Sequence, residues 1–267
     1  MHSTLKKYFF LSFFFILILC IYPNDKTDSD ENVYKKNYVE FSKILPQNIR
    51  DKINKNKKKF FKDLNKVLAA EKEGELILVD KKHLLDNTYK PKNVILLFNM
   101  KDRKYLLDRF DIYLAKIAER PLQKMAEAAK KDGIKIWVSS AYRPYNYQSK
   151  LFARYVRVYG KKKALSFSAP PGASQHQLGT VVDFGSISNS YADTAAGKWM
   201  FNNAWRFGWS LSYPKDMEHI TGYKWESWHY RYLGVEACKF QKEWFGDIQQ
   251  YMLEFIDLWK KEKAKLN

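Results

Sequence analysis

Ser174-Gln175-His176-Gln177-Leu178-Gly179-Thr180-Val181-Val182-Asp183 decides how this chain is read, together with Glu226-Ser227-Trp228-His229 further on. The chain has five histidines, and these two short motifs hold His176 and His229. Two imidazoles and the carboxylate of Asp183 make up the three-ligand set of a catalytic zinc site, which leaves a fourth position for water. Glu226 stands three residues before His229. It is close to such a metal without having to bind it, where a general base is needed. His176 and Asp183 are seven apart, a spacing that would return to one face of a helix. Gly179 interrupts, however, and Val181-Val182 favours extension, so the spacing predicts a turn leading into a strand. Asp183 then projects from that strand toward a loop-borne His176, and His229 arrives from a separate strand. Strand positions three apart point to opposite faces. Either the backbone bends between Glu226 and His229, or Glu226 reaches over an edge.

Other segments extend the pattern: Leu78-Val79-Asp80-Lys81, Tyr89-Lys90-Pro91, Ser140-Ala141-Tyr142-Arg143 through Gln148, Tyr213-Pro214-Lys215 and Ile220-Thr221-Gly222-Tyr223. With the two motifs above, they resemble the zinc D-alanyl-D-alanine carboxypeptidases of the VanY type. That group also holds the VanX-type dipeptidases and is similar to the Hedgehog signalling domain. The resemblance covers roughly Glu75 to Gly234, in family order. It implies a central, mostly antiparallel sheet with helices packed on one side and the zinc in a cleft over the other. It also implies one Zn2+ per chain, held by His176, Asp183 and His229. Glu226 would act as base toward the zinc water and then as acid toward the leaving amine. Arg143 would steady the tetrahedral oxyanion, a contribution of about 3 kcal/mol for one such donor. Gln148 and Ser174 would either touch substrate or support those that do, and Tyr142 and Trp228 would wall the cleft. His83 and His219 lie in no matching motif and are read as non-ligands.

The implied reaction removes the terminal D-alanine from a peptidoglycan stem peptide by attack of zinc-bound hydroxide on the last peptide carbonyl. An L,D-carboxypeptidase or a wall endopeptidase of the same mechanism is the nearest alternative. A non-catalytic zinc-containing cell-wall module is the alternative of another class. Four positions depart from the family's usual residues: Val181 (usually Ala), Ala141 (often Gly), Ser227 (commonly Pro) and Ser212 (frequently Arg). None of them removes a ligand, the base or the oxyanion Arg; the Ser212 difference bears on substrate preference.

The 267 residues suit one catalytic domain with extensions. The formal charge of +18 allows a nucleic-acid reading, but no nucleic-acid motif accompanies it and the lysines spread over loops and helix faces. A lysine-rich solvated surface, or attraction to anionic wall polymer or lipid headgroups, fits better. Lys6 and Lys7 precede an apolar run from Tyr8 to Tyr22, short for a membrane span and suited to a signal-peptide core. Leu17-Ile18-Leu19-Cys20 resembles a bacterial lipobox with Cys20 as the lipidated residue. Lipoprotein, cleaved signal and retained anchor all export the domain to the periplasm or another extracytoplasmic space. The only other cysteine is Cys238, so no disulfide framework is expected and a metal would use His and carboxylate.

The organisation expected is a signal or anchor over 1–22, a polar tether and lysine-rich amphipathic helices over 23–73, and a zinc peptidase domain over 74–267. Pro23 to Asn32 reads as flexible tether. Strands are expected at Glu75–Val79, Ile134–Val138, Val181–Phe184, Trp209–Tyr213 and Lys224–Tyr232. Helical spacing is read over Leu106–Ala118, with a break at Arg120-Pro121 and a new helix through Met125 and Ala129 until Asp132-Gly133 stops it. Helices are also expected at Pro144–Tyr159, Ala195–Arg206 and, without interruption, Glu236–Lys263. Lys161–Ala173 is read as a loop. Helices and strands mix without a βαβ rhythm, so the fold class is α+β.

Overall fold

The structure, a computed structural model, describes residues 26–265. The expected signal or anchor and Cys20 lie outside the described residues. Four helices come first: α1 (Lys26–Lys36), α2 (Tyr38–Ile44), α3 (Gln47–Lys55) and α4 (Lys57–Ala70). Then follow β1 (Val94–Leu96), β2 (Leu106–Leu107), β3 (Tyr113–Ala115), α5 (Lys116–Lys131) and β4 (Trp137–Ser140). Next come α6 (Tyr145–Tyr159), α7 (Lys161–Phe167), β5 (Val181–Phe184), α8 (Ala195–Asn203), β6 (Trp209–Leu211) and α9 (Glu218–Thr221). The chain closes with β7 (His229–Tyr232), α10 (Val235–Trp244) and α11 (Gln249–Ala264).

One sheet organises the site. Its order is β2-β4-β5-β7-β6, with β2 parallel to β4 and the other pairs antiparallel. The central strand β5 shows why. Alternate residues face opposite sides of a strand, so Val182 and Phe184 turn toward α5 while Val181 and Asp183 turn away. Beneath the sheet, Leu122, Met125, Ala126 and Ala129 of α5 pack with Val138, Val182, Phe184 and Tyr230. Burying each of the Leu, Met, Val and Phe side chains among these stabilises the fold by roughly 1.5–3 kcal/mol.

A second core lies to the side. Tyr34, Phe41, Phe60 and Phe61 of α1, α2 and α4 pack with Phe240 and Trp244 of α10 and with Phe255 and Trp259 of α11. The first and last helices therefore complete each other. This changes the reading of residues 26–32 from tether to helix. Asp30 is fully buried and is held by Asn65 Nδ2 at 2.7 Å and Lys263 Nζ at 2.6 Å, which removes the cost of an unpaired charge.

Several other expectations change for local reasons. Glu75–Val79 is not a strand, because the buried Arg231 of β7 takes the carbonyls of Glu75 and Ile77 at 2.8 and 2.7 Å. Leu106–Ala118 is not a helix before α5: Leu106 and Phe110 are exposed, while Ile112 and Leu114 are buried around an exposed Tyr113, a period of two. Pro121 sits inside α5 and does not break it. Proline lacks one donor near the start of the helix, and the buried face that follows outweighs that loss. Lys161–Phe167 is helical rather than loop. The C-terminal helix is two helices, interrupted where Gly246 and Asp247 adopt left-handed backbone at φ 59° and 65°. Asp tolerates that conformation better than most residues. Its carbonyl accepts from Gln241 Nε2 at 2.8 Å and its carboxylate from Lys242 Nζ at 2.7 Å.

Candidate metal centre and reaction cleft

The sheet register assembles the centre. Asp183 on β5 stands directly opposite His229 on β7, so the two side chains leave the same face as neighbours. His176 comes from a short 3₁₀ turn, Gln175–Leu178, just before β5. Gly179 closes that turn at φ 73°, where a Cβ would lie 2.8 Å from Pro91 Cγ. The turn thus needs glycine both for its backbone and for its clearance. The lead-in segment fixes it from outside: the buried Gln177 donates to the carbonyls of Asp86 and Tyr89 at 2.9 and 3.3 Å.

His176, Asp183 and His229 are all buried, and one ligand atom from each lies within 4.8 Å of the others. The His176 and His229 rings meet edge to face at 4.9 Å. Their hydrogen bonds set the tautomers. His176 Nδ1 donates to the Ala141 carbonyl at 2.6 Å, leaving a lone pair on Nε2. That lone pair points at Asp183 Oδ2, 3.2 Å away. His229 Nε2 donates to Gln175 Oε1 at 3.3 Å, leaving a lone pair on Nδ1 that faces Asp183 Oδ1 at 3.2 Å. His176 Nε2 and Asp183 Oδ1 are buried without a hydrogen-bond partner. Acceptors confronting acceptors out of reach of water is unfavourable unless a cation joins them. Two nitrogens and one carboxylate oxygen suit zinc. Burial first, and Arg143 second, lower the His176 pKa to about 4, so the ring is neutral as a ligand must be.

Glu226 lies in a turn before β7, not on a strand. Its carbonyl accepts the His229 backbone N–H at 3.2 Å, and this bend brings Glu226 Oε2 to 3.4 Å from His229 Nδ1. Burial pushes its carboxyl up to about 7, with Asp183 adding to the rise and His229 and Arg143 opposing it. A carboxyl that exchanges its proton near neutrality suits general acid–base work.

Arg143 enters from the end of β4. Its Nη2 is 3.6 Å from Asp183 Oδ2, and its Nη1 donates to Gln148 Oε1 at 3.2 Å. Gln148 Nε2 donates in turn to the Ala169 carbonyl at 2.7 Å, so this buried amide orients the guanidinium. Arg143 Nε is buried with no partner. Ser174 is buried in the lining of the same cleft, a hollow of about 500 Å³ that also includes Trp225, Trp228, Tyr223 and Tyr213. The seven residues given a metal, catalytic or substrate role, and Trp228 as a wall, therefore border one cavity; Tyr142, expected as the other wall, does not line it and borders a neighbouring hollow instead.

His83 and His219 are elsewhere: His83 Nδ1 bonds Asp80 at 2.9 Å, and His219 is exposed on α9. Ser212 is buried 3.4 Å from Gln249 Oε1 and does not line the cleft. Three contributors escaped the sequence reading. Gln175 and the Ala141 carbonyl fix the two tautomers, and Tyr213 rests its ring 4.7 Å from that of His229. Gln175 could have been found from its place beside His176 within the motif. A backbone carbonyl leaves no trace in a sequence.

Comparison with known proteins agrees with this geometry. Residues 111–235 match the VanY family, described as D-alanyl-D-alanine carboxypeptidase. A relative in Bacillus subtilis (strain 168), the putative carboxypeptidase YodJ, is 36% identical over 195 residues, 67% of this chain and 69% of the relative. Among solved structures, the LdcB LD-carboxypeptidase superposes with a TM-score of 0.61 at 31% identity, over 67% of this chain and 85% of that one. A mutant of the vancomycin-resistance D,D-pentapeptidase VanY in complex with Zn(II) gives 0.56 at 29% identity, over 67% of this chain and 98% of that one.

Proposed function

Since the chain belongs to the VanY family of D-alanyl-D-alanine carboxypeptidases, we propose that His176, Asp183 and His229 hold its zinc ion and that Glu226 and Arg143 carry its chemistry. The enzyme is a zinc carboxypeptidase acting on D-alanyl-D-alanine ends of peptidoglycan stem peptides. The observation that carries the residue assignment is the pair of buried imidazole lone pairs facing one carboxylate.

The chemistry that zinc supplies there is Lewis-acid polarisation of a carbonyl and acidification of a water molecule. The protein does the rest. Glu226 Oε2 takes one proton from the attacking water as the new C–O bond forms. When the C–N bond breaks, the same oxygen returns that proton to the amine of the departing D-alanine. Arg143, held by Gln148, donates N–H to the oxygen on which negative charge develops. Ser174 accepts the role of donor to the substrate's terminal carboxylate. The rings of Tyr213 and Tyr223 keep bulk water from the His229 side of the cleft.

Two finer points belong to the same proposal. The likeness to an LD-carboxypeptidase of known structure supports removal of the last D-alanine from an L,D-linked tetrapeptide as a second reading. A cell-wall substrate calls for action outside the cytoplasm, and the apolar run from Tyr8 to Tyr22 with Cys20 supports export and anchoring by residues 1–22, with residues 23–73 as an extension to a peptidase domain over 74–267. The test is incubation of the zinc-loaded protein with pentapeptide, tetrapeptide and cross-linked muropeptides, with and without chelator, and mass analysis of the products. Chelator-sensitive loss of one alanine from pentapeptide is expected. Cleavage of cross-links alone would replace the carboxypeptidase reading with an endopeptidase one.

A further inference from the structure

Glu226 is aimed by its backbone rather than by partners of its carboxylate. Its Oε2 approaches His229 Nδ1 at 3.4 Å, and no other side chain among the described residues bonds that carboxylate. Its direction therefore depends on the two peptide planes that flank its Cα. The plane before it is fixed where the Glu226 N–H donates to the Tyr213 carbonyl at 3.1 Å. The plane after it is fixed at both ends. The Glu226 carbonyl accepts the His229 N–H at 3.2 Å, and the Ser227 N–H donates to Asn189 Oδ1 at 3.2 Å. Of these three bonds, the last is the one made to a side chain, and Asn189 comes from outside both motifs.

The residue after Glu226 makes that bond possible. Glu226 to His229 form a β-turn closed by the His229 N–H, with Ser227 at its second position. Neither Ser227 nor Trp228 takes left-handed backbone, which leaves a turn type that accepts proline at the second position. A proline there would preset φ and would have no N–H to give. Serine leaves φ free and supplies the donor. Proline is common at this point in the family, so in this chain a hydrogen bond from a neighbouring loop stands in for the ring. Ser227 is buried, and its Oγ also reaches the carbonyls of Ser188 and Asn189, at 3.5 Å each.

The loop that presents Asn189 is itself anchored. Asn189 opens a 3₁₀ turn, Asn189–Asp193, between β5 and α8. Two residues on, Tyr191 is buried in the core beneath the sheet. Its ring crosses so close to Gly185 that a Cβ there would lie 2.6 Å from it. The Tyr191 carbonyl accepts from Thr194 Oγ1 at 2.7 Å. Asn189 also lines the reaction cleft, so a direct contact with substrate is the competing role that a test must separate.

We propose that Asn189 is a positioning residue for Glu226: by accepting the Ser227 N–H it fixes the peptide plane that turns the Glu226 carboxylate toward the attacking water. This rests on the carboxypeptidase reading and gives Asn189 no contact with the reacting atoms.

The test is a double-mutant cycle on the zinc-loaded protein with pentapeptide as substrate. Asn189→Ala is expected to lower kcat roughly tenfold and to keep a full zinc equivalent by elemental analysis. Ser227→Pro removes the donor and presets φ, and should keep kcat within about threefold of the parent. In the Ser227→Pro background, Asn189→Ala should change kcat by less than about twofold. An equal loss in both backgrounds would overturn the proposal, because a contact from Asn189 to substrate persists without the Ser227 N–H. An unchanged kcat in the single Asn189→Ala variant would overturn it too. Asn189→Asp keeps an accepting oxygen and serves should the proline variant not fold. Recovery of most of kcat then supports the proposal, and a loss equal to that of Asn189→Ala overturns it. Should the parent cleave no peptide, the carboxypeptidase reading fails instead. Crystal structures of the parent and of Asn189→Ala then decide the positioning alone: a displaced Glu226 carboxylate supports it, and superposable turns overturn it.

Discussion

Replacing Gln175 by Leu should weaken the metal centre without touching a ligand. Gln175 Oε1 is the acceptor for His229 Nε2–H, at 3.3 Å. With that proton on Nε2, the lone pair of Nδ1 faces Asp183 Oδ1. Leucine fills similar space but accepts nothing, and Gln175 is only 3% exposed, so no water from outside takes its place. The imidazole is then free to adopt the other tautomer, in which Nδ1 carries the proton and cannot bind. Losing such a supporting bond typically lowers metal affinity 10–100-fold. The bond here is long, which puts the expected loss near tenfold, or about 1.4 kcal/mol. The assay is competition for zinc against a chromophoric chelator at neutral pH. Gln175→Glu keeps an acceptor and should recover most of the affinity. A Leu variant within twofold of the parent, or a Glu variant as weak as the Leu one, would refute the tautomer argument.

Glu226→Gln should retain a full zinc equivalent, measured by elemental analysis, while kcat falls roughly 10²–10⁴-fold. The same residue links stability to pH. Its folded pKa is raised from 4.5 to about 7, so the folded state binds the extra proton in that window and metal-free protein loses stability as pH rises through it. Below pH 6.5 that loss is offset by His176, whose pKa is lowered from 6.5 to about 4 and which adds stability as pH rises, so in a melting series from pH 4.5 to 6.5 Glu226→Gln should make the metal-free protein gain stability more steeply with pH than the parent; an unchanged slope would remove Glu226 as a contributor. Lys81 is expected to set the far wall of the cleft. Its ammonium donates to the carbonyls of Leu165, at 2.7 Å, and of Gly222, and lies 4.3 Å from the ring centre of Tyr223. Lys81→Met should raise KM about fivefold at unchanged zinc content, and Lys81→Arg should restore part of it.

Much of the site was legible because its residues sit in two short motifs whose spacing survives folding. His176, Asp183 and the strand Val181–Phe184 are read from a glycine followed by β-branched residues, and the structure keeps that arrangement. The direction of Glu226 was not legible, since it depends on a turn that only the pairing of β7 with β5 ends. Long-range partners hid other features. Glu75–Val79 alternates like a strand, but its carbonyls belong to Arg231, more than 150 residues away. Asp30 and its acidic neighbours look solvated until Lys263 and Asn65 are placed beside them. The helical spacing over Glu236–Lys263 holds on both halves, burying Phe240 and Trp244 on one and Met252, Phe255 and Trp259 on the other; only the left-handed pair Gly246 and Asp247 divides it.

The shared core of the first and last helices bears on how the molecule is made. Translation proceeds from the amino end, so Phe41, Phe60 and Phe61 leave the ribosome long before Phe255 and Trp259. Those early aromatic rings have no complete place to be buried during synthesis. The helical layer must wait for the final turns of α11, and until then it is the part of the nascent polypeptide that a holding chaperone would grasp.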